Sequence, residues 1–203
     1  MSSDWKNLFP TPVWKKDSWR ELTIDEEDFF TRMKSKEKQV NKGNSHTREN
    51  YVLNAPEMTN LKKDLTNAVN SYFQEVWQPI YDVKVYITIS WINYTEVGQF
   101  HHEHIHANSI VSGVYYIDTD DSDKIFFNNP QPLWSTLRVE PREYNIWNCG
   151  SSWLPTPKNS LILFPSKLEH YVRESTNPNT RISLSFNTFL KGKLSDTLDE
   201  LYL

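Results

Sequence analysis

Lys84-Val85-Tyr86-Ile87-Thr88-Ile89-Ser90-Trp91 sets Lys84, Tyr86, Thr88 and Ser90 against Val85, Ile87, Ile89 and Trp91. That is the period of two expected of a half-buried strand. Downstream, residues 110–117, 124–127, 160–164, 170–173 and 181–189 continue in the same manner between Asn-Pro, Pro-Gln-Pro and Ser-Thr-Asn-Pro-Asn turns. Many short strands with frequent turns predict a sandwich or a barrel.

Upstream the period changes. From Pro56 to Trp77 the apolar residues Leu61, Leu65, Ala68, Val69, Tyr72, Phe73 and Val76 recur every three to four positions, predicting a helix with one buried face. Residues 25–42 run from Asp25, Glu26, Glu27 and Asp28 to Lys34, Lys36, Lys38 and Lys42, a charge order that suits a helix beginning at Asp25. Before it, Leu8-Phe9-Pro10-Thr11-Pro12-Val13-Trp14 carries two prolines and reads as an edge strand or a packed arm. The expectation is a mainly β fold with N-terminal helices (α+β) in one domain, 1–203. An arm and supporting helices would occupy 1–80, a strand core 81–190 and a tail 191–203.

Composition narrows the function classes. The chain of 203 residues is long enough for a real core, and its eight Trp, ten Tyr and ten Phe predict an aromatic one. Cys149 is the only cysteine, which excludes an internal disulfide and a cysteine-based zinc cluster and fits a reducing compartment. A net charge of −4 from well-mixed residues gives no footprint for nucleic acid. The first residues lack a signal-peptide pattern and no long apolar run exists, so the expectation is a soluble cytoplasmic protein with no membrane association.

Five of the six histidines fall in two places: His101, His102, His104 and His106 together, and His170. On a regular strand His102, His104 and His106 would share one face, with His101, Glu103 and Ile105 on the other. His104 and His106 can then reach one metal ion with His170 as the third ligand, leaving open positions as in non-haem iron sites. Two other registers, His102 with His104 and His101 with Glu103, compete with this one. Eleven residues after His170 stands Arg181, with Ser183 on its face of an alternating strand. A guanidinium and a hydroxyl so placed suit a dicarboxylate. His46, in Lys-Gly-Asn-Ser-His-Thr-Arg, reads as part of a flexible polar loop.

Taken together, Leu8–Trp14, Trp91-Ile92-Asn93, Gly98 before His104-Ile105-His106, Ser112-Gly113-Val114-Tyr115-Tyr116-Ile117, Leu163-Phe164-Pro165-Ser166 before His170, and Arg181-Ile182-Ser183-Leu184-Ser185-Phe186-Asn187 carry a resemblance over nearly the whole chain. The sequence resembles the 2-oxoglutarate and Fe(II)-dependent oxygenases found in bacteria and in phages of marine bacteria. That resemblance implies a double-stranded β-helix, a cupin-like jelly roll, with metal ligands on its inner face. It departs from the wider superfamily at one position, since His106 stands where Asp or Glu is usual. Similarity to that superfamily makes the Tyr116 phenol a candidate partner for the distal carboxylate of 2-oxoglutarate, or else a core tyrosine. Asn93 is a second candidate, or a cap at a strand end.

The activity so implied is hydroxylation of an unidentified substrate, a peptidyl proline or other side chain among the options, using Fe(II), 2-oxoglutarate and O₂ and releasing succinate and CO₂. Residues 134–157, with Trp134, Trp147 and Trp153, would form a loop at the barrel mouth or pack these rings on the core. Two further readings stand beside this one: a metal-binding jelly roll without catalysis, and a phage or bacterial interaction protein.

Overall fold

A computed structural model describes residues 4–132, 139–196 and 200–203 of the chain. Two antiparallel sheets face one another. The larger has seven strands, in the order β1 (Trp14–Lys16), β9 (Leu161–Pro165), β6 (Val111–Asp118), β11 (Arg181–Lys191), β4 (Lys84–Thr95), β3 (Ser45–Thr47) and β2 (Lys38–Val40). The smaller has four: β5 (His101–His104), β10 (His170–Val172), β7 (Lys124–Asn128) and β8 (Ser151–Pro155). A short pair, β12 (Lys193–Ser195) and β13 (Leu201–Tyr202), follows near the end.

Alternation along the strands builds two hydrophobic layers. Val111, Tyr115 and Ile117 of β6, with Ile182, Leu184 and Phe186 of β11, pack on the helices α1 (Ile24–Lys34) and α2 (Thr59–Trp77). The opposite face of β6 sends Val114 and Tyr116 between the sheets, where they meet Ile125, Phe127, Ile162, Phe164 and Leu168. Both faces of the large sheet are therefore covered, and β11 is buried along its first eight residues. Its inward row is polar: Arg181, Ser183, Ser185 and Asn187 are all buried. Polar side chains in that number mark the half of the interior that is a site rather than a core. This is a mainly β, antiparallel fold of the jelly-roll kind.

Residues 14–16 form an edge strand, in keeping with the prolines before them. The helix begins where its charges place it, fixed by a capping box in which the Thr23 hydroxyl accepts from the Glu26 backbone N–H and the Glu26 carboxylate accepts from Thr23. It ends at Lys34, however, and not near Lys42. Lys38–Val40 pairs instead with Ser45–Thr47 as a hairpin, whose turn holds Gly43 at φ +96°. Added methylene at Gly43 would meet the Phe100 carbonyl oxygen at 2.6 Å, so only glycine lets this turn dock on the chain entering β5. His46, expected in a flexible loop, lies in that hairpin and pairs with Asn93 of β4. No helix among the described residues is long and apolar enough to cross a membrane.

Candidate metal and cosubstrate site

β5 and β10 are neighbours, and their register makes His104 and His170 direct partners. The imidazole centroids are 4.3 Å apart. Nδ1 of His104 lies 2.8 Å from the carbonyl oxygen of His102, and Nδ1 of His170 lies 3.0 Å from that of Leu168. Each Nδ1–H donates to its carbonyl, so each ring keeps Nε2 as an acceptor for a metal. His106 stands two residues beyond the end of β5 and is held by its backbone N–H, which donates to the Ser166 carbonyl at 3.0 Å. Its ring meets Trp91 of the facing sheet edge-on, with centroids 5.6 Å apart. One ligand atom from each of the three histidines falls within 4.8 Å of the others.

Burial tunes all three toward the neutral form that binds metals. It pushes His106 down to about 4 and His170 to about 3, with the neighbouring histidines adding to the effect, and it lowers His104 as well.

The other histidines fall differently from a regular alternation. Between the His104 and Val172 pairings, β5 uses one more residue than β10, a bulge that turns His101 onto the side of His104. Their rings stack at 4.5 Å and 20°. His101 is held down to about 2 by burial first, then by its histidine neighbours and Arg181. Asn41 Nδ2 approaches its Nε2 at 3.3 Å, and the Asn41 carbonyl oxygen already accepts from the Lys42 N–H, so Asn41 is the donor. Glu103 points outward and is exposed, and His102 lies at the rim beside the Lys42 carbonyl.

Arg181 opens β11 and is 3% exposed, facing inward opposite Thr95. Its guanidinium carbon lies 5.3 Å from the centroid of the Tyr116 ring. Nε has no hydrogen-bond partner; nor do the buried hydroxyls of Tyr116 and Thr95. Burial keeps the Tyr116 phenol far above its ordinary value, so it is a donor at any physiological pH. Ser183 sits between Asn93 and Tyr116 in the register and is buried. Asn93, two residues inside the end of β4, donates to Ser185 Oγ at 2.9 Å and accepts from Trp91 Nε1 at 3.2 Å. Its amide is thus engaged within the protein.

Arg181 does have an acidic partner that sequence reasoning missed. Asp123 Oδ1 lies 3.5 Å from Nε, a charge contact longer than a hydrogen bond. Asp123 stands among Asp118, Asp120 and Asp121, and nothing in that acidic run marks the one that turns inward. Thr95 was equally hidden, since only the β4–β11 register sets it opposite Arg181.

Buried polar atoms without partners are rare in folded proteins and call for a cause. Here a phenol, a hydroxyl and a guanidinium N–H are left open in one region, as donors to an anion would be. Of residues 134–157, Trp134 lies outside the described residues, while Trp147 and Trp153 stay half-exposed beside a cleft of about 930 Å³ floored by Phe127 and Leu168. Neither ring is packed on the core, and Trp147 Nε1 donates instead to Asn7 of the N-terminal arm.

The comparisons agree with this geometry. Residues 89–187 match the family model described as "Putative 2OG-Fe(II) oxygenase". The fold is similar to that of an oxidoreductase of the 2OG-Fe(II) oxygenase family from Burkholderia pseudomallei, at a TM-score of 0.60 and 14% identity over 87% of this chain and 83% of that one. A Pseudomonas putida prolyl-4-hydroxylase is similar at 0.59 and 11% identity, over 87% and 92%. HygX from Streptomyces hygroscopicus, crystallised with nickel, 2-oxoglutarate and hygromycin B, is similar at 0.58 and 9%, over 88% and 82%. At such identities these structures speak for the fold alone. No curated protein matches in sequence. Residues 89–187, the stretch that carries the three histidines and Arg181, are thus similar to the 2OG-Fe(II) oxygenase family.

Proposed function

We propose that the chain is a 2-oxoglutarate- and Fe(II)-dependent dioxygenase that hydroxylates a substrate still to be identified, with His104, His106 and His170 holding the metal. The carrying observation is the convergence of these imidazoles within 4.8 Å, two of them oriented by backbone carbonyls, in the same interior as a buried arginine with an unpaired N–H. The donor set fits a borderline divalent metal, and three ligands leave positions open on it.

Arg181 and Tyr116 would take the distal carboxylate of the cosubstrate, with Ser183 adding a hydroxyl and Asn93 bordering the pocket through Ser185. Bound there, metal and cosubstrate supply the oxidising chemistry, consuming O₂ and leaving succinate and CO₂. The protein orients and shields. Arg181 and Tyr116 fix one end of the cosubstrate before reaction. Phe127 and Phe164, with ring centroids 6.3 and 4.7 Å from His170, keep water from one flank of the site. Prolyl side chains remain one candidate substrate class, suggested by the fold of the Pseudomonas putida enzyme.

Anaerobic titration of Fe(II) and 2-oxoglutarate into the full chain tests this reading. A metal-to-ligand charge-transfer band that needs both additions is expected, and its absence from the folded wild-type protein overturns the assignment. Succinate formation on admitting air then separates an enzyme from a metal-binding jelly roll without turnover.

A further inference from the structure

Among the described residues two carboxylates are fully buried. Glu26 belongs to the helix cap and pairs with Arg20 at 2.7 Å. Asp123 is the other, and it alone faces Arg181. Its two oxygens are used differently. Oδ2 accepts from the Asp120 backbone N–H at 3.0 Å and from Asn177 Nδ2 at 2.9 Å, which fixes the group in place. Oδ1 is left to Arg181, 3.5 Å from Nε, near enough to compensate its charge and too far for a hydrogen bond to that N–H. The guanidinium is therefore balanced in charge while its Nε–H stays unpaired.

Such an arrangement answers a difficulty created by the ligand set. Three neutral imidazoles contribute no negative charge, so a divalent metal keeps its two positive charges and a dicarboxylate cosubstrate cancels them. Arg181 would then be left over as an uncompensated cation in a nearly dry interior, which is costly. A carboxylate among the metal ligands would remove that surplus, but His106 occupies the position.

We propose that Asp123 is the electrostatic substitute for the carboxylate that the three-imidazole ligand set lacks, acting through Arg181 to set the affinity of the site for its dianionic cosubstrate. Asp123 is a positioning and charge-setting residue that touches neither metal nor cosubstrate. The inference rests on the function proposed above and extends it to a residue outside the ligand set.

The test is the anaerobic affinity for 2-oxoglutarate, measured by calorimetry on the Fe(II)-loaded full chain, with the charge-transfer band as a second readout. Asp123→Asn keeps an acceptor for Asp120 and removes the charge, so the surplus cation tightens 2-oxoglutarate binding by about tenfold. His106→Asp adds a charge at the metal and loosens binding by about tenfold. In the double variant the two changes cancel, and the affinity returns to within about threefold of wild type.

If Asp123 served only to hold Arg181 in place, Asp123→Asn would weaken binding and His106→Asp would not rescue it; that result overturns the proposal. Should Asp123→Asn fail to fold, Asp123→Ser, a second neutral replacement that offers a hydroxyl acceptor, takes its place in the comparison. Tighter 2-oxoglutarate binding with metal retained supports the charge argument, and unchanged or weaker binding defeats it. Failure of wild type to bind 2-oxoglutarate at all would instead strike the function proposed above.

Discussion

His104 and His170 are cross-strand partners that orient their imidazoles by the same device, each Nδ1–H donating to the backbone carbonyl two residues earlier in the chain. The device needs no second side chain, so it survives substitution of neighbours and depends only on β5 and β10 remaining paired. It also makes the candidate metal site inseparable from the small sheet. Replacing His170 by Ala should lower Fe(II) affinity by more than about 100-fold, beyond the range seen when only an orienting partner is lost. His102→Ala, which leaves the main-chain carbonyl in place, should change it less than about threefold, since the backbone and not that imidazole orients His104. Equilibrium metal titration of both variants checks this, and a large loss in His102→Ala would mean that the rim histidine is itself a ligand.

Cosubstrate affinity should divide between Arg181 and Tyr116 in unequal shares. Arg181→Ala removes the cation that would pair with the distal carboxylate, and losing one partner of such a buried, hydrogen-bonded charge pair costs about 2–5 kcal/mol of binding. Binding of 2-oxoglutarate should therefore fall by at least about 30-fold. Tyr116→Phe deletes one donor whose hydroxyl is already unpaired in the free protein, so the loss should stay near one hydrogen bond, about 0.5–1.5 kcal/mol. Calorimetry on both variants loaded with Fe(II) under anaerobic conditions measures the two shares. Equal effects, or none at Arg181, would move the distal carboxylate elsewhere.

How much of this was legible depends on whether the signal was local. The alternation of 84–91 and 181–189 is written in consecutive residues, and it led to β4 and β11 with Arg181 and Ser183 on one face. His170 was legible because a lone histidine ahead of a strand pattern stands out. Asp123 was not, because its meaning lies in a contact 58 positions away with Arg181. His101 was misplaced for a different reason: period-two reasoning assumes an unbroken ladder, and the extra residue in β5 reverses the face of everything before it. The β2–β3 hairpin escaped because strands of three residues carry too few positions for a period to show, and Lys38 and Lys42 extended the charge pattern of the helix before it.

The same burial that keeps the imidazoles neutral makes the metal-free protein acid-labile. His106 and His170 sit at about 4 and about 3 in the fold, against an ordinary value near 6.5 in an unfolded chain. As pH falls below about 6.5 the unfolded chain takes up protons first, so unfolding gains and the fold loses. Stability is therefore full above that value and declines until the folded imidazoles themselves protonate. The melting temperature of the metal-free chain should drop steadily from pH 7 to pH 5, a window chosen above the range in which ordinary carboxylates titrate. His170→Gln should make that slope shallower, because one of the titrating groups is gone. An unchanged slope would assign the acid sensitivity to other groups.

Gly113 offers a test of the fold that is independent of ligands. It is the cross-strand partner of Phe186 on one side and Leu163 on the other. The Phe186 ring lies flat over it, so that a methyl group at position 113 would come within 2.1 Å of Phe186 Cζ and 2.7 Å of Cε2. Phe186 is wholly buried in the core under the helices, so its ring cannot swing out to solvent. Gly113→Ala should therefore destabilise by about 1–3 kcal/mol through overpacking, lowering the melting temperature by roughly 3–10 °C for a chain of this size. Phe186→Leu alone leaves a void and also destabilises, but combined with Gly113→Ala it removes the ring that the new methyl strikes. The double variant should then be more stable than the sum of the single losses predicts, with a coupling of about 1 kcal/mol. Strict additivity in thermal or urea unfolding would mean that glycine is required at position 113 for its backbone and not for the ring above it.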